Sequence, residues 1–218
     1  PPAVPPAVPP AVPPAVRLKK SPLEGQSNFR DVGGYETEDG QQVATGVVFR
    51  SGRLNAVSDR DLAKLEDLGI RTVVNFLTPK EIAAAGPDRL PSGTHEISLP
   101  IESDDGLVAK LLEARAKADF SQITPDINPE IHQKIVTQAA DQYAKLFREI
   151  IRGDEPIVFH CSHGIHRTGT ASAVLLWSLG VPWETVREDY LLSNAFRAHE
   201  VESRIEQFRL QIAERRNI

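Results

Sequence analysis

Residues 158–169 read Val-Phe-His-Cys-Ser-His-Gly-Ile-His-Arg-Thr-Gly, VFHCSHGIHRTG. The apolar run Ile157 to Phe159 leads into this stretch, and TGTASAVLLWSL, over 168–179, leads out of it. The first has the length and β-branched character of a buried strand. The second is apolar all round, as expected of a helix buried in the middle of a fold, and Gly180 and Pro182 end it. Strand and helix are thus joined by a short loop that holds the chain's single cysteine, Cys161, and three of its six histidines, His160, His163 and His166.

The flanking sequence has the same alternating character. Val47 to Phe49 is a short strand candidate, Ser58 an N-cap for a helix carrying Leu62, Leu65 and Leu68, and Ile70 to Leu77 (IRTVVNFL) the strongest strand candidate. A short helix from Pro79, a strand at Glu96 to Leu99 and helical spacing over 107–118 follow. One long helix is expected from Pro129 to Arg152, with Ile131, Ile135, Tyr143, Leu146, Phe147 and Ile150 as its buried stripe. A last helix places Val201, Ile205, Phe208 and Ile212 on one face. Strands alternating with helices predict an α/β domain with a mostly parallel central sheet flanked by helices.

Composition narrows the function classes. The chain has 218 residues and a net charge of −5, which argues against general nucleic-acid affinity, and no basic stripe with interleaved aromatics is present. No apolar run reaches the ~20 residues that span a bilayer. One cysteine allows neither an internal disulfide nor a Cys-x-x-Cys pair. The first sixteen residues are four copies of Pro-Pro-Ala-Val, so residues 1–20 are expected to be an extended polyproline linker ahead of a domain over 21–218. Such a repeat also suits a proline-recognising partner. The chain opens on Pro rather than Met, so a removed upstream segment is expected, and a spacer of this kind fits an exported, periplasmic protein better than a cytoplasmic one.

The loop around Cys161 admits a metal-ligand reading, because His-Cys-x-His-x-x-His offers ligands at close spacing. Its setting favours an anion instead. A loop closing on a helix N-terminus aims several backbone N–H groups at one point and adds the positive end of the helix dipole. Gly164 allows the backbone turn, Thr168-Gly169 opens the helix, and Arg167 supplies a planar fork for two phosphate oxygens. Ser162, His163, Gly164, Ile165, His166 and Arg167 are then the phosphate-binding candidates. Cys161 at the bottom of such a cup is expected to be a thiolate, aligned as a nucleophile on phosphorus. No metal and no cofactor is called for.

His160-Cys161, five residues, then Arg167-Thr168-Gly169 resembles the signature of the cysteine-dependent protein tyrosine phosphatase superfamily. Three further stretches narrow it: Asn28 to Gly34 (NFRDVGG), Phe49 to Leu54 (FRSGRL) and Asp189 to Asn194 (DYLLSN). In order and character they resemble the bacterial tyrosine phosphatases with lipid-phosphatase-like loops, over roughly residues 25–200. The resemblance implies a tyrosine phosphatase-like fold with a helical lid, for which residues about 105–135 are the natural segment, and catalysis through a phosphocysteine.

The loop departs from that pattern at two places, having Ile165 and His166 where relatives carry Lys and Asp. Loss of the Lys weakens a phosphoinositide or inositol phosphate role relative to phosphotyrosine, with phosphoserine and phosphothreonine as further substrates. Loss of the Asp leaves the general acid open. His166, held protonated by a phosphate dianion, is one candidate; Asp104 or Asp105 in IESDDG is the other, against an ordinary reading as a solvated turn. Thr168 is placed to hydrogen-bond the departing thiolate, and His160 to orient the loop. Asp31 is expected to form a structural ion pair within the NFRDVGG loop, and Arg30 to shape or charge the pocket rim. Tyr190 and Asn194 are expected to support the loop from the C-terminal helices, and Arg50 and Ser51 to lie at its side. A non-catalytic phosphate-binding module is the remaining class, and the paired Cys161 and Arg167 argue against it.

Overall fold

Four short parallel strands and one antiparallel edge strand build the sheet on which the Cys161 loop stands. In this computed structural model, described over residues 21–102, 127–153 and 155–216 and at 113, 114, 117, 119, 121 and 123, the elements alternate as expected. They are β1 (Arg30–Asp31), β2 (Val48–Ser51), α1 (Asp59–Asp67), β3 (Thr72–Asn75), α2 (Pro79–Ala85), β4 (His95–Ser98), α3 (Ile127–Gln138), α4 (Ala140–Arg152), β5 (Ile157–His160), α5 (His166–Ser178), α6 (Trp183–Phe196) and α7 (Ala198–Arg216). The sheet order is β1-β2-β5-β3-β4, with β1 antiparallel to β2 and every other pairing parallel. The proline-rich segment, Asp104 and Asp105 lie outside the described residues, as does most of the stretch expected to form a lid; α3 is its longest described part.

The central strand β5 is buried along its whole length, which is why IVFH reads as a continuous apolar run rather than an alternating one. Its side chains still divide by face. Val158 joins Phe49, Val73, Leu54, Leu65 and Ile70 in the core beneath α1. Ile157 and Phe159 join Val74, Phe76, Tyr143, Leu146 and Leu176 in the larger core beneath the C-terminal helices. The register Val73↔Val158 and Val74↔Phe159 keeps these two sets apart across the sheet.

Two helices start on reciprocal caps. Ser58 and Asp61 cap α1, and Thr78 and Glu81 cap α2, with Pro79 in its first turn. Asp61 also accepts the backbone N–H groups of Glu24 and Gly25 at 2.7 and 2.8 Å, tying the N-terminal segment to α1.

Two expectations differ from the structure. The long helix over 129–152 is two helices, because the chain breaks at Ala139, whose φ of −102° and ψ of 13° leave the helical region. The bend lets α3 cross to α5 while Tyr143 and Leu146 of α4 stay in the core. The apolar stripe of α7 does not bury as expected: Val201 and Ile205 are exposed, because this helix contacts the body of the fold mainly through its start at α6.

Candidate active site

The loop that leaves β5 at Cys161 and enters α5 at His166 wraps around the thiol. Its tight turn is at Gly164, with φ of 68°, a left-handed conformation that strains any residue with a Cβ. A Cβ there would also lie 2.6 Å from the Ser51 carbonyl and 2.9 Å from the Asn28 amide nitrogen. Gly169, one turn into α5, leaves room for the Tyr190 ring, which a Cβ would approach to 2.7 Å.

The outside of the loop is held by residues distant in sequence. Asn28 donates to the carbonyls of His163 and Gly164 at 3.0 and 3.1 Å, and Arg50 donates to the Gly164 carbonyl at 3.0 Å. With its carbonyls bonded outward, the loop turns N–H groups inward. Arg50 is in turn fixed by Asp189 at 2.5 Å, and Asp189 also receives Arg30 at 3.3 Å and the Tyr35 hydroxyl at 2.9 Å. All four groups are buried. Burial works to raise the Asp189 carboxyl, yet the Arg30 and Arg50 charges outweigh it and hold it below the usual carboxylate range. Burial, with Arg50 adding, lowers Arg30 to about 10.

Inside the cup, Cys161 is 3% exposed. Burial pushes its thiol up. The Arg167 charge, the Thr168 hydroxyl and the backbone groups of Thr168 and Gly164 pull it down further, so the thiol lies below its ordinary value. Arg167 is oriented by a carboxylate: its two terminal nitrogens reach Glu81 at 2.8 and 2.6 Å, and one also donates to the carbonyls of Phe76 and Ile101. Glu81 keeps a low pKa despite burial through the Arg167 hydrogen bonds and charge and the Thr78 cap. The helix-starting Thr78–Glu81 pair therefore aims the guanidinium as well. Glu81→Gln keeps the shape and removes the charge. It is expected to lower kcat for an aryl phosphate about tenfold, with a smaller change in KM; equal kinetics in both forms would remove Glu81 from this role.

The histidines of the loop diverge instead of converging on one point. His160 is fully buried and its Nε2 lies 2.8 Å from Asp88 Oδ2, a close approach without good hydrogen-bond alignment. Asp88 also accepts from Leu54 N and Asn75 Nδ2, so this contact ties the loop to the neighbouring strand β3. His163 lines a separate cleft with Arg53, Arg197 and Glu200. His166 faces His132 of α3, with ring centroids 5.1 Å apart. Among the described residues, no three His, Cys, Asp or Glu side chains form a group able to hold a metal.

Burial first, then the neighbouring charges, lower His163 and His166 to about 4 in the anion-free site. The cationic neighbours of His166 are Arg167 and Arg197, and His132, itself lowered by burial, opposes its protonation. The His166 imidazole is therefore neutral near pH 7.

Several sequence expectations change here. Arg30 is not at the rim: it is 1% exposed and its nitrogens are taken by Asp189, Asn28 and Ser193. Asp31 makes no ion pair with it. Adjacent residues on β1 point to opposite faces, and Asp31 instead accepts the N–H groups of Gly33 and Gly46. Asn194 is exposed, while Ser193 beside it faces inward to Asn28 and Arg30, and Asp189 of the same helix carries the main contacts. Glu81, Asp88 and His132 had not been picked out. Only Glu81 carried a sequence signal, the Thr-x-x-Glu cap at 78–81. His132 bonds Thr170 at 3.0 Å and the Tyr190 hydroxyl at 2.8 Å, which seats α3 against the mouth of the loop.

Comparison with known proteins adds an independent line. A family model described as the tyrosine phosphatase family matches residues 21–217. The chain belongs to the tyrosine phosphatase family. Similar proteins include one from Cupriavidus necator named as a candidate tyrosine-protein phosphatase, 30% identical over 170 residues, covering 77% of this chain and 60% of that protein. Another is the triple specificity protein phosphatase PtpB of Mycobacterium tuberculosis, 27% identical over 192 residues, covering 79% of this chain and 68% of PtpB. The chain thus spans less than two thirds of the length of the first relative. Among solved structures, P. aeruginosa TpbA is 20% identical with a TM-score of 0.36, covering 79% of this chain and 89% of its own. In this tyrosine phosphatase family member, the matched region contains the Cys161 loop, both capped helices and the Asp189 network.

Proposed function

We propose that this family member is a cysteine-dependent phosphatase that hydrolyses phosphotyrosine, and also phosphoserine or phosphothreonine, in proteins or peptides. The observation that carries the reading is the geometry: a nearly buried Cys161 in a tight loop that closes on the start of α5, with Arg167 oriented by Glu81 at 2.8 and 2.6 Å, neighbours that also pull the thiol below its ordinary value. A thiolate kept in that setting is a nucleophile with its anion receptor already assembled.

The Cys161 sulfur attacks phosphorus while the ester P–O bond breaks, and the leaving oxygen takes a proton. Loop amides and the Arg167 fork stabilise the equatorial oxygens. Water then attacks phosphorus and gives up a proton to the now deprotonated acid, the P–S bond breaks, and the Thr168 hydroxyl supports the sulfur as it regains its negative charge. The substrate's own dianion raises the pKa of His166, which then protonates the leaving group; Asp104 and Asp105 are the competing acids. His166→Ala is expected to slow hydrolysis of an alkyl phosphate about 10²-fold and of p-nitrophenyl phosphate much less, because only the poorer leaving group needs the proton. Full rate on the alkyl ester would transfer the role to Asp104→Ala and Asp105→Ala for testing.

The second reading is a phosphoinositide or inositol phosphate phosphatase, favoured by the lipid-phosphatase-like character of the stretches NFRDVGG, FRSGRL and DYLLSN. Apolar Ile165 in the loop opposes it. Phosphate release from a panel of phosphotyrosine peptides, phosphoserine peptides and inositides tests the proposal. The phosphotyrosine peptides are expected to lead in kcat/KM, and a lead for the inositides would replace it with the second reading.

A further inference from the structure

A cleft of about 160 Å³ opens beside the Cys161 loop, with Ser162 and His163 of that loop forming one of its walls. Arg53, whose backbone N–H donates to the Ser162 carbonyl at 3.3 Å, Arg197 and Arg204 also line it, with Glu200 as the carboxylate among them. Three guanidinium groups against one carboxylate leave an excess of positive charge. Glu200 is moreover fully engaged: it binds Arg197 through both oxygens at 3.1 and 2.7 Å, lies 3.5 Å from Arg204 and accepts the Ser27 hydroxyl at 3.0 Å. Arg197 is only 7% exposed and is thereby held rigid at the α6–α7 junction. Arg53 lines the cleft from the segment after β2, and its charge also acts on the Asp88 carboxylate without a direct ion pair. Arg204 is half exposed and touches Glu200 only at long range.

We infer that this cleft is a second anion subsite, which takes an acidic side chain close to the phosphorylated residue of a peptide substrate. The inference rests on the phosphatase reading above. The excess charge gives the attraction, and the buried Arg197 with its Glu200 clamp gives a preformed wall. The cleft already accommodates one carboxylate, Glu200, on guanidinium partners, so the geometry suits a second of the same kind. The shared wall sets the distance. Ser162 and His163 follow directly on the nucleophile, so a substrate whose phosphate sits over Cys161 brings its neighbouring residues to the cleft mouth, each extended residue reaching about 3.3 Å further. The same field lowers His163, first by burial and then through Arg197 and Arg204, so the imidazole stays neutral and adds no charge of its own.

The test compares two phosphotyrosine peptides of equal length, one with Asp or Glu on both sides of the phosphotyrosine and one with Ala there. The quantity read is the ratio of kcat/KM, acidic over neutral, at low salt. The intact chain is expected to give about tenfold, falling as salt is added. Arg53→Ala and, separately, Arg204→Glu are expected to bring the ratio to within twofold of one. Arg204 is half exposed with one weak contact, so its charge reversal leaves the fold in place, and a thermal melt checks this.

The same ratio, measured as peptide dissociation constants with the Cys161→Ser protein, needs no turnover. Absence of turnover on both peptides and on p-nitrophenyl phosphate would overturn the phosphatase reading, while the binding ratio would still decide the cleft. A ratio near one in the intact chain, or one that neither substitution changes, would overturn the cleft assignment alone. An arginine-dependent preference for an inositol bisphosphate over the acidic peptide would overturn the assignment to a peptide side chain.

Discussion

Replacing Cys161 by Ser is expected to lower turnover of p-nitrophenyl phosphate by at least ~10⁴-fold while phosphopeptide binding persists. The change swaps one atom. The loop amides and the Arg167 fork, clamped by Glu81 at 2.6 and 2.8 Å, stay where they are, so the receptor for the phosphate dianion survives. What disappears is the sulfur nucleophile: a serine hydroxyl in the same place stays protonated, because an alcohol is a far weaker acid than a thiol. The dissociation constant of a phosphotyrosine peptide is expected to remain within a few-fold of the KM of the intact chain. Retained turnover would mean that the reaction runs without the thiolate. Lost binding with the fold intact would mean that the thiolate is part of the receptor.

Removing Asp189 is expected to have the largest effect on stability. Its carboxylate is 2% exposed and is the shared partner of Arg30, Arg50 and the Tyr35 hydroxyl. Taken alone, the ion-pair cluster adds little net stability, since burying three charges costs about what their attraction returns. Breaking it is another matter. Asp189→Ala would leave two guanidinium groups buried side by side with no compensating charge, a loss of roughly 3–5 kcal/mol, which for a chain of this size is a fall of about 10 °C in Tm. Activity is expected to fall as well, because Arg50 loses the anchor from which it holds the Gly164 carbonyl at 3.0 Å. Asp189→Asn keeps the shape and part of the hydrogen bonding, so it should lie between the two in both respects. A shift of under 2 °C for the alanine variant would show that the network is not what pins the loop.

The two substitutions separate parts of the site that differ in how visible they were in the sequence. The strand–loop–helix unit around Cys161 was legible because its signals are local: a β-branched apolar run, a glycine at a turn that requires φ of 68°, and an all-apolar helix. The same holds for the helix caps at Ser58 and Thr78. The residues that support the loop were legible only in part, because their partners are set by the order of strands rather than by spacing. Arg30 and Asp31 are neighbours in sequence, yet on β1 they face opposite ways, one to Asp189 at the far end of the chain and the other to its own loop. Glu81 reads only as the partner of a helix cap and Asp88 as a residue of a surface turn; the placement of β3 next to β5 brings one to Arg167 and the other to His160. His132 appears as a polar break in a buried stripe until the bend at Ala139 turns α3 towards α5 and α6.

The Arg167–Glu81 pair also links catalysis to the start of a helix. Thr78 caps α2 through the Glu81 backbone, and the Glu81 side chain both returns to the Thr78 backbone and receives the guanidinium. A carboxylate that has to serve a cap is held in one rotamer, and that rotamer fixes the plane of the fork. Positioning of this kind reaches the reaction through Arg167 alone, which is why its effect is expected in kcat rather than in the binding of a neutral ligand.

In the proposed reaction, phosphate passes through the sulfur of Cys161. The most direct measurement is a rapid quench of the intact chain during turnover of a ³²P-labelled phosphotyrosine peptide, followed by mapping of the label on the denatured protein. Label is expected on the peptide that contains Cys161, approaching one phosphate per chain and lost in Cys161→Ser. Steady turnover with no protein-bound label at any quench time, or label on another residue, would contradict it.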